Sequence, residues 1–146
     1  MMNRLNLLKV AVLIFVASYA NMSNAQCKLM VKGCLPKLAP YTNNSQMNST
    51  VLRAGESAEL EMTFYSGQEY RLFICSQEVL GKIGFKLMDM NKNVLFENKK
   101  DNINYFDFNV QATQQMIVEV SAPAGTNKDM VEAGCVSILV GFKDPK

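Results

Sequence analysis

The chain of 146 residues contains no histidine and no tryptophan. Without histidine there can be no Ser-His-Asp or Cys-His nucleophile system and no zinc hydrolase built on imidazole ligands. Without tryptophan, the residues left to stack on a sugar ring are tyrosines, of which Tyr41, Tyr65, Tyr70 and Tyr105 are candidates. No glycine-rich phosphate loop follows a strand, which argues against nucleotide chemistry. An excess of one charge is missing as well: Lys and Arg number 15 against 13 Asp and Glu, and Lys99-Lys100 is an isolated basic pair. Nucleic-acid binders carry a basic stripe that neutralises phosphates, so nucleic acid is excluded as a partner.

Long apolar runs are scarce, and the most prominent lies near the start. Arg4 and Lys9 precede Val10-Ala11-Val12-Leu13-Ile14-Phe15-Val16-Ala17, and small and polar residues ending Ser23-Asn24-Ala25 follow. The run is too short for a membrane span of about 20 residues. Its flanks are those of a signal peptide, 1–25, cut after Ala25 to leave Gln26 as the first mature residue. A lipoprotein would place a small residue before its modified cysteine, whereas Cys27 follows Gln26. Cleavage removes two basic residues and no acidic one, leaving a formally neutral chain. The remaining length, about 120 residues, is one domain's worth of core. The expected location is exported, periplasmic or extracellular, with no transmembrane segment after cleavage.

Four cysteines remain in the exported chain: Cys27, Cys34, Cys75 and Cys135. An even count in an oxidising compartment predicts disulfides, with three possible connectivities. None of the four has the close cysteine neighbour that structural zinc sites use. Cys75 ends one predicted strand and Cys135 begins another, which suggests a Cys75–Cys135 bridge tying two strands and a Cys27–Cys34 bridge closing a local loop.

The strongest local pattern is Gly55 to Cys75. Ala58, Leu60, Met62 and Phe64 alternate with Glu59, Glu61 and Thr63, a period of two that fits a half-buried strand. Ser66-Gly67-Gln68 supplies turn chemistry, and Tyr70, Leu72 and Ile74 mark a second strand, so the two read as a pair. Further alternation predicts strands at Ile83–Leu87, Val94–Phe96, Phe106–Val110, Met116–Val120 and Val136–Phe142. The segment 26–50 is an unpatterned N-terminal lead-in, with one short strand at most near Met30-Val31 and no amphipathic helix. Seven strands, with one or two more toward the N-terminus, predict an all-β fold over 51–146, a single antiparallel β-sandwich or jelly roll.

Three stretches could carry chemistry. Asp89-x-Asn91-x-Asn93 resembles the opening of a calcium loop, but Val94 stands where glycine is required, and Asn and Asp are also turn residues. Asp107, flanked by Tyr105, Phe106 and Phe108, is the one carboxylate set among aromatics; a glycosidase would need a second carboxylate beside it, and alternation points Asp107 away from the Phe side. The loop Ser121–Ala133 is where a binding surface could sit. Asn43-Asn44-Ser45 and Asn48-Ser49-Thr50 match the glycosylation pattern, but read first as polar turns.

Val51-Leu52-x-Ala54-Gly55-Glu56-Ser57, Ser66-Gly67-Gln68-Glu69-Tyr70 and the Leu87-Met88-Asp89 to Asn93-Val94-Leu95 hairpin together resemble the pre-peptidase C-terminal (PPC-like) group of secreted β-sandwich domains. The closing run Gly134-Cys135-Val136 is similar to that of small exported proteins of Bacteroidetes-type bacteria. The resemblance implies a non-catalytic attachment or binding module. The expected function is accordingly a non-enzymatic exported β-sandwich, without cofactor, that binds a protein or polysaccharide or serves as an envelope accessory. The alternatives are a structural subunit of an envelope assembly and a glycan hydrolase using Asp107 with one of the glutamates.

Overall fold

A computed structural model describes residues 22–99, 103–125 and 132–144. The chain opens with a helix, α1 (Met22–Cys34), and a 3-10 turn at Leu35–Leu38. Among the described residues nine strands follow: β1 (Thr42–Asn43), β2 (Asn48–Arg53), β3 (Ser57–Phe64), β4 (Glu69–Ser76), β5 (Gly84–Asp89), β6 (Val94–Glu97), β7 (Tyr105–Asn109), β8 (Gln114–Ser121) and β9 (Ala133–Lys143). They form two antiparallel sheets. One runs β1-β9-β4-β7, with β2 continuing the β1 edge along β9; the other runs β3-β8-β5-β6. The all-β sandwich expected from period-two alternation is present, and each of the seven expected strands appears.

The pairing of the opening strands differs from the expectation. β3 pairs with β8 and β4 pairs with β9 and β7, so Tyr65–Gln68 crosses between sheets instead of closing a hairpin. Both strands carry an apolar face, and each meets its need for backbone partners in a different sheet. The β5–β6 hairpin forms as expected, with a register shift between Leu87 and Met88.

The main core lies between the sheets, where Phe64, Leu72, Phe85, Leu87, Val118, Val120 and Val140 are almost fully buried. Asn98 is buried within it at 3% exposure. Its Oδ1 accepts from the Phe85 amide at 2.8 Å, and its Nδ2 donates to the Ile83 and Ile103 carbonyls at 3.1 and 3.0 Å. Asn98 thereby ties the end of β6 and Ile103 to the start of β5.

A second, smaller core lies on the outer face of the β4–β9 pair, where Val31 and Leu38 cover Phe73, Cys75 and Leu139. Here α1 replaces the unpatterned lead-in expected before β1. The disulfides are also not the expected ones: Cys27 bonds Cys135 and Cys34 bonds Cys75, with Cα separations of 5.4 and 6.2 Å. Register explains the correction. Cys75 lies opposite Ser137, so Cys135 is its diagonal neighbour across two strands, about 7–8 Å away and too far for a bridge. Cys27 and Cys34 are two helical turns apart, about 10 Å along one face of α1. Each helix cysteine therefore takes one of the strand cysteines that point outward beneath it. The Cys27 sulfur, bonded to Cys135, has no valence left for a lipid. Of the expected leader, residues 1–21 lie outside the described residues.

Peptide mapping without reduction is expected to recover Cys27 linked to Cys135 and Cys34 linked to Cys75. Replacing Cys27 and Cys135 together by Ser should lower unfolding free energy by about 2–5 kcal/mol in denaturant titration, since the bridge closes a long loop. Asn98→Ala leaves one buried amide and two carbonyls without their partner, so a loss of about 2–4 kcal/mol is expected in the same assay.

Candidate functional site

The sandwich has two lateral openings, and they are treated differently. On the β6–β7 side, aromatic rings close the gap between the sheets. Phe96 stacks on Phe106 with centroids 3.9 Å apart, Phe106 on Phe108 at 5.7 Å, and Phe108 meets Tyr70 and Phe64 at 5.8 and 5.2 Å. On the β2–β3 side no such closure exists among the described residues. The residues of β2 that line the opening are Asn48, Ser49 and Thr50, with Leu52 buried in the core beyond them, and the inward row of β3, Ala58, Leu60 and Met62, is only half-buried.

The result is a groove along β3. One part, of about 720 Å³, is walled by Leu60, Met62 and Phe64 on one side and by Asn44, Gln46 and Asn48 on the other, with Val140 and Phe142 among the residues lining it. A second part, of about 280 Å³, continues it past Ala58 to Val136 and Ile138. Both parts share Asn48 and Leu60, which makes them one channel. Met47 and Tyr65 border the larger part at 52% and 61% exposure. Apolar walls, polar groups along one side and exposed Tyr and Met are the composition of a protein-binding surface. The polar wall is internally organised: the Asn44 side-chain Oδ1 accepts from the Gln46 backbone amide at 3.1 Å, and the Asn43 Oδ1 from the Ser45 backbone amide at 3.2 Å. That is the polar turn expected of this stretch.

A second cluster lies on the outer face of the other sheet. Arg71 of β4 forms a bidentate pair with Asp107 of β7, both nitrogen–oxygen distances being 2.7 Å. Its guanidinium lies between the rings of Tyr41 and Tyr105, at 4.6 and 4.8 Å, and donates to the Ala39 carbonyl at 3.1 Å. The Asp107 hydrogen bond raises the Arg71 pKa still further. Tyr41 donates to Glu69, which also pairs with Lys143 at 2.9 Å; these bonds hold the Glu69 carboxyl below its ordinary value. Tyr41 sits directly over Gly141 of β9, where an added Cβ would come within 2.6 Å of the Tyr41 Cβ. Glycine here is required by close approach of a neighbour.

The residues singled out from sequence are dispersed by the fold. Asp107 points outward, as alternation predicted, and is neutralised by Arg71. Glu69, the carboxylate that shares this network, is likewise neutralised, by Lys143 and Tyr41, so the cluster offers no acid and base pair. Of the four tyrosines, Tyr41 and Tyr70 are buried, and Tyr65 and Tyr105 are exposed. Asp89 uses both carboxylate oxygens within its own turn: Oδ1 accepts from the Asn91 and Asn93 amides and Oδ2 from the Asn93 side chain at 2.7 Å. These bonds lower its pKa, the Asn93 side chain most. Within Ser121–Ala133, residues 126–131 lie outside the described residues; the ends are fixed by Gly55 donating to Pro123 and Ala54 donating to Glu132. The groove itself was not found from sequence. Its trace in the sequence is the polar run 42–46, which the fold sets across from Leu60, Met62 and Phe64.

These features define the class: an antiparallel β-sandwich with a disulfide-clamped N-terminal helix and one open lateral groove. No protein-family model and no curated protein sequence matches the chain. Among solved structures it is similar to PliG of Aeromonas hydrophila, a periplasmic lysozyme inhibitor of g-type lysozyme. The TM-score is 0.51 at 10% identity, over 71% of this chain and 89% of that one. At that identity the likeness is one of fold.

Burial and the bond to Glu69 push the Tyr41 hydroxyl above its ordinary value. A group raised in the folded state contributes stability below the unfolded value, about 10 for tyrosine, and loses it as pH rises toward the folded one. The stability difference between the native chain and Tyr41→Phe is therefore expected to shrink between pH 9 and pH 11, measured by urea unfolding.

Proposed function

We propose that the protein is exported by removal of residues 1–25 and acts without catalysis by binding another protein. The single observation that carries this reading is the open β2–β3 groove, whose apolar wall and unpaired strand edge offer what a polypeptide needs. The two disulfides support an oxidising compartment, periplasmic or extracellular. The resemblance to PPC-like domains belongs to the same reading, as an attachment that works by binding.

The fold shared with PliG supports a more specific form, in which the partner is a secreted wall-cleaving enzyme of the lysozyme type and binding restrains it. Fold by itself assigns no partner, so this form depends on assay. Mature protein added to g-type lysozyme in a turbidity assay on peptidoglycan is expected to slow lysis in proportion to dose. Met47→Ala combined with Tyr65→Ala, both exposed in the groove, should weaken that effect while leaving thermal unfolding unchanged. Unchanged lysis at large molar excess would remove the lysozyme form. Turnover of a glycan by the protein alone, abolished in a folded Asp107→Asn variant, would instead defeat the non-catalytic reading.

A further inference from the structure

We infer that the free edge of β3 receives an extended segment of the partner as an added strand, and that this segment alternates Lys or Arg with apolar residues. The inference rests on the protein-binding reading and specifies how the groove is used.

β3 spans eight residues and pairs with β8 along its whole length. On its other side no described residue pairs with it, so alternate amide and carbonyl groups face the groove unpaired by other strands. A strand added there would lie about 4.8 Å away. Its inward side chains would cover Leu60 and Met62, the half-buried row that the narrow sandwich leaves incomplete. The polar wall at Asn48 tolerates a wet boundary on the far side of that strand.

Charge decides which segment fits. The outward row of β3 carries Glu59 and Glu61. Glu59 is opposite Glu119 of β8 and is held by Lys92 from the β5–β6 turn. Glu61 is opposite Ile117 and has no ion-pair partner among the described residues. Directly opposed unlike charges stabilise a strand pair and like charges destabilise it. A second copy of β3, laid antiparallel, would set glutamates beside glutamates. An acidic segment is rejected for the same reason, and a basic, alternating one satisfies both rows at once. This mode is strand addition, in which main-chain bonds supply affinity and alternate side chains supply selection.

The test uses the mature protein and labelled eight-residue peptides, Lys-Val repeats and Glu-Val repeats, read by fluorescence anisotropy. The Lys-Val peptide is expected to bind at least about tenfold more tightly, and Glu59→Lys with Glu61→Lys should reverse the preference. Two further peptides carry N-methyl groups on all valine amides or on all lysine amides. In an added strand these two sets of N–H groups face opposite edges, so one methylated peptide should lose about tenfold or more and the other should bind as before. Equal binding of acidic and basic repeats, no effect of the charge reversal, equal behaviour of the two methylated peptides, or no binding of the Lys-Val peptide would each overturn strand addition. Inhibition of an enzyme partner in the turbidity assay would then still stand, which separates this inference from the function it rests on.

Discussion

The constraint on which the rest of the structure depends is that β4 and β9 are buried on both faces. Leu72, Ile74, Ile138 and Val140 fill the space between the sheets, while Phe73, Cys75, Leu139 and Gly141 lie on the opposite face. An antiparallel sheet usually leaves that face to water. Here something must cover it, and α1 has little to do so with. Its 13 residues, of which Met22–Ala25 precede the expected cleavage point, make a helix of marginal intrinsic stability; Leu29 is exposed, and Val31 is its main buried apolar residue beyond Cys27. Two disulfides supply what burial does not, one to each of the paired strands. The rest of the face is covered by Leu38 and by Tyr41, which lies on Gly141 and anchors the Arg71 cluster.

The same economy explains why one lateral side stays open. The aromatic residues that close the β6–β7 side come from neighbouring inward positions on two short strands. Among the described residues the β2–β3 side has no equivalent, because β2 places Asn48 and Thr50 there and only Leu52 in the core, and the edge beside β9 is divided between β1 and β2. An open edge is a hazard for self-association, and the acidic outward row of β3 is a means by which such edges are kept apart. Charge that prevents pairing with a copy also selects for a partner of opposite charge.

Strands were legible in the sequence wherever one face is buried and the other is not: Ala58 to Phe64 and Tyr105 to Asn109 follow a strict period of two. The pairing of those strands was not legible, because it depends on long-range register; the turn chemistry of Ser66-Gly67 fits a sheet crossing as well as a hairpin. The helix was hidden although Cys27, Val31 and Cys34 stand at i, i+4 and i+7, because two of those three positions are cysteines and a single aliphatic residue makes too thin a stripe to stand out. Misplacing it made the disulfide pairing wrong, since Cys27 and Cys34 are close in sequence yet lie two turns apart on a helix. The groove was hidden for a related reason. Leu60 and Met62 look like core residues in any one-dimensional reading, and only the edge position of β3 leaves them half-covered.

Asp107 shows how a carboxylate that stands out in sequence becomes structural in the fold. To serve as an acid or base it would need free carboxylate oxygens and a reacting group within reach. It has instead a bidentate guanidinium, itself held between two tyrosine rings and a backbone carbonyl. Freeing that carboxylate would break the whole cluster and leave Arg71, largely covered by its neighbours, without its counter-ion. The cluster therefore works as a clamp joining β4, β7 and the segment that carries Tyr41. It fixes the outer face of that sheet, whereas the groove is walled by β3, the edge strand of the other.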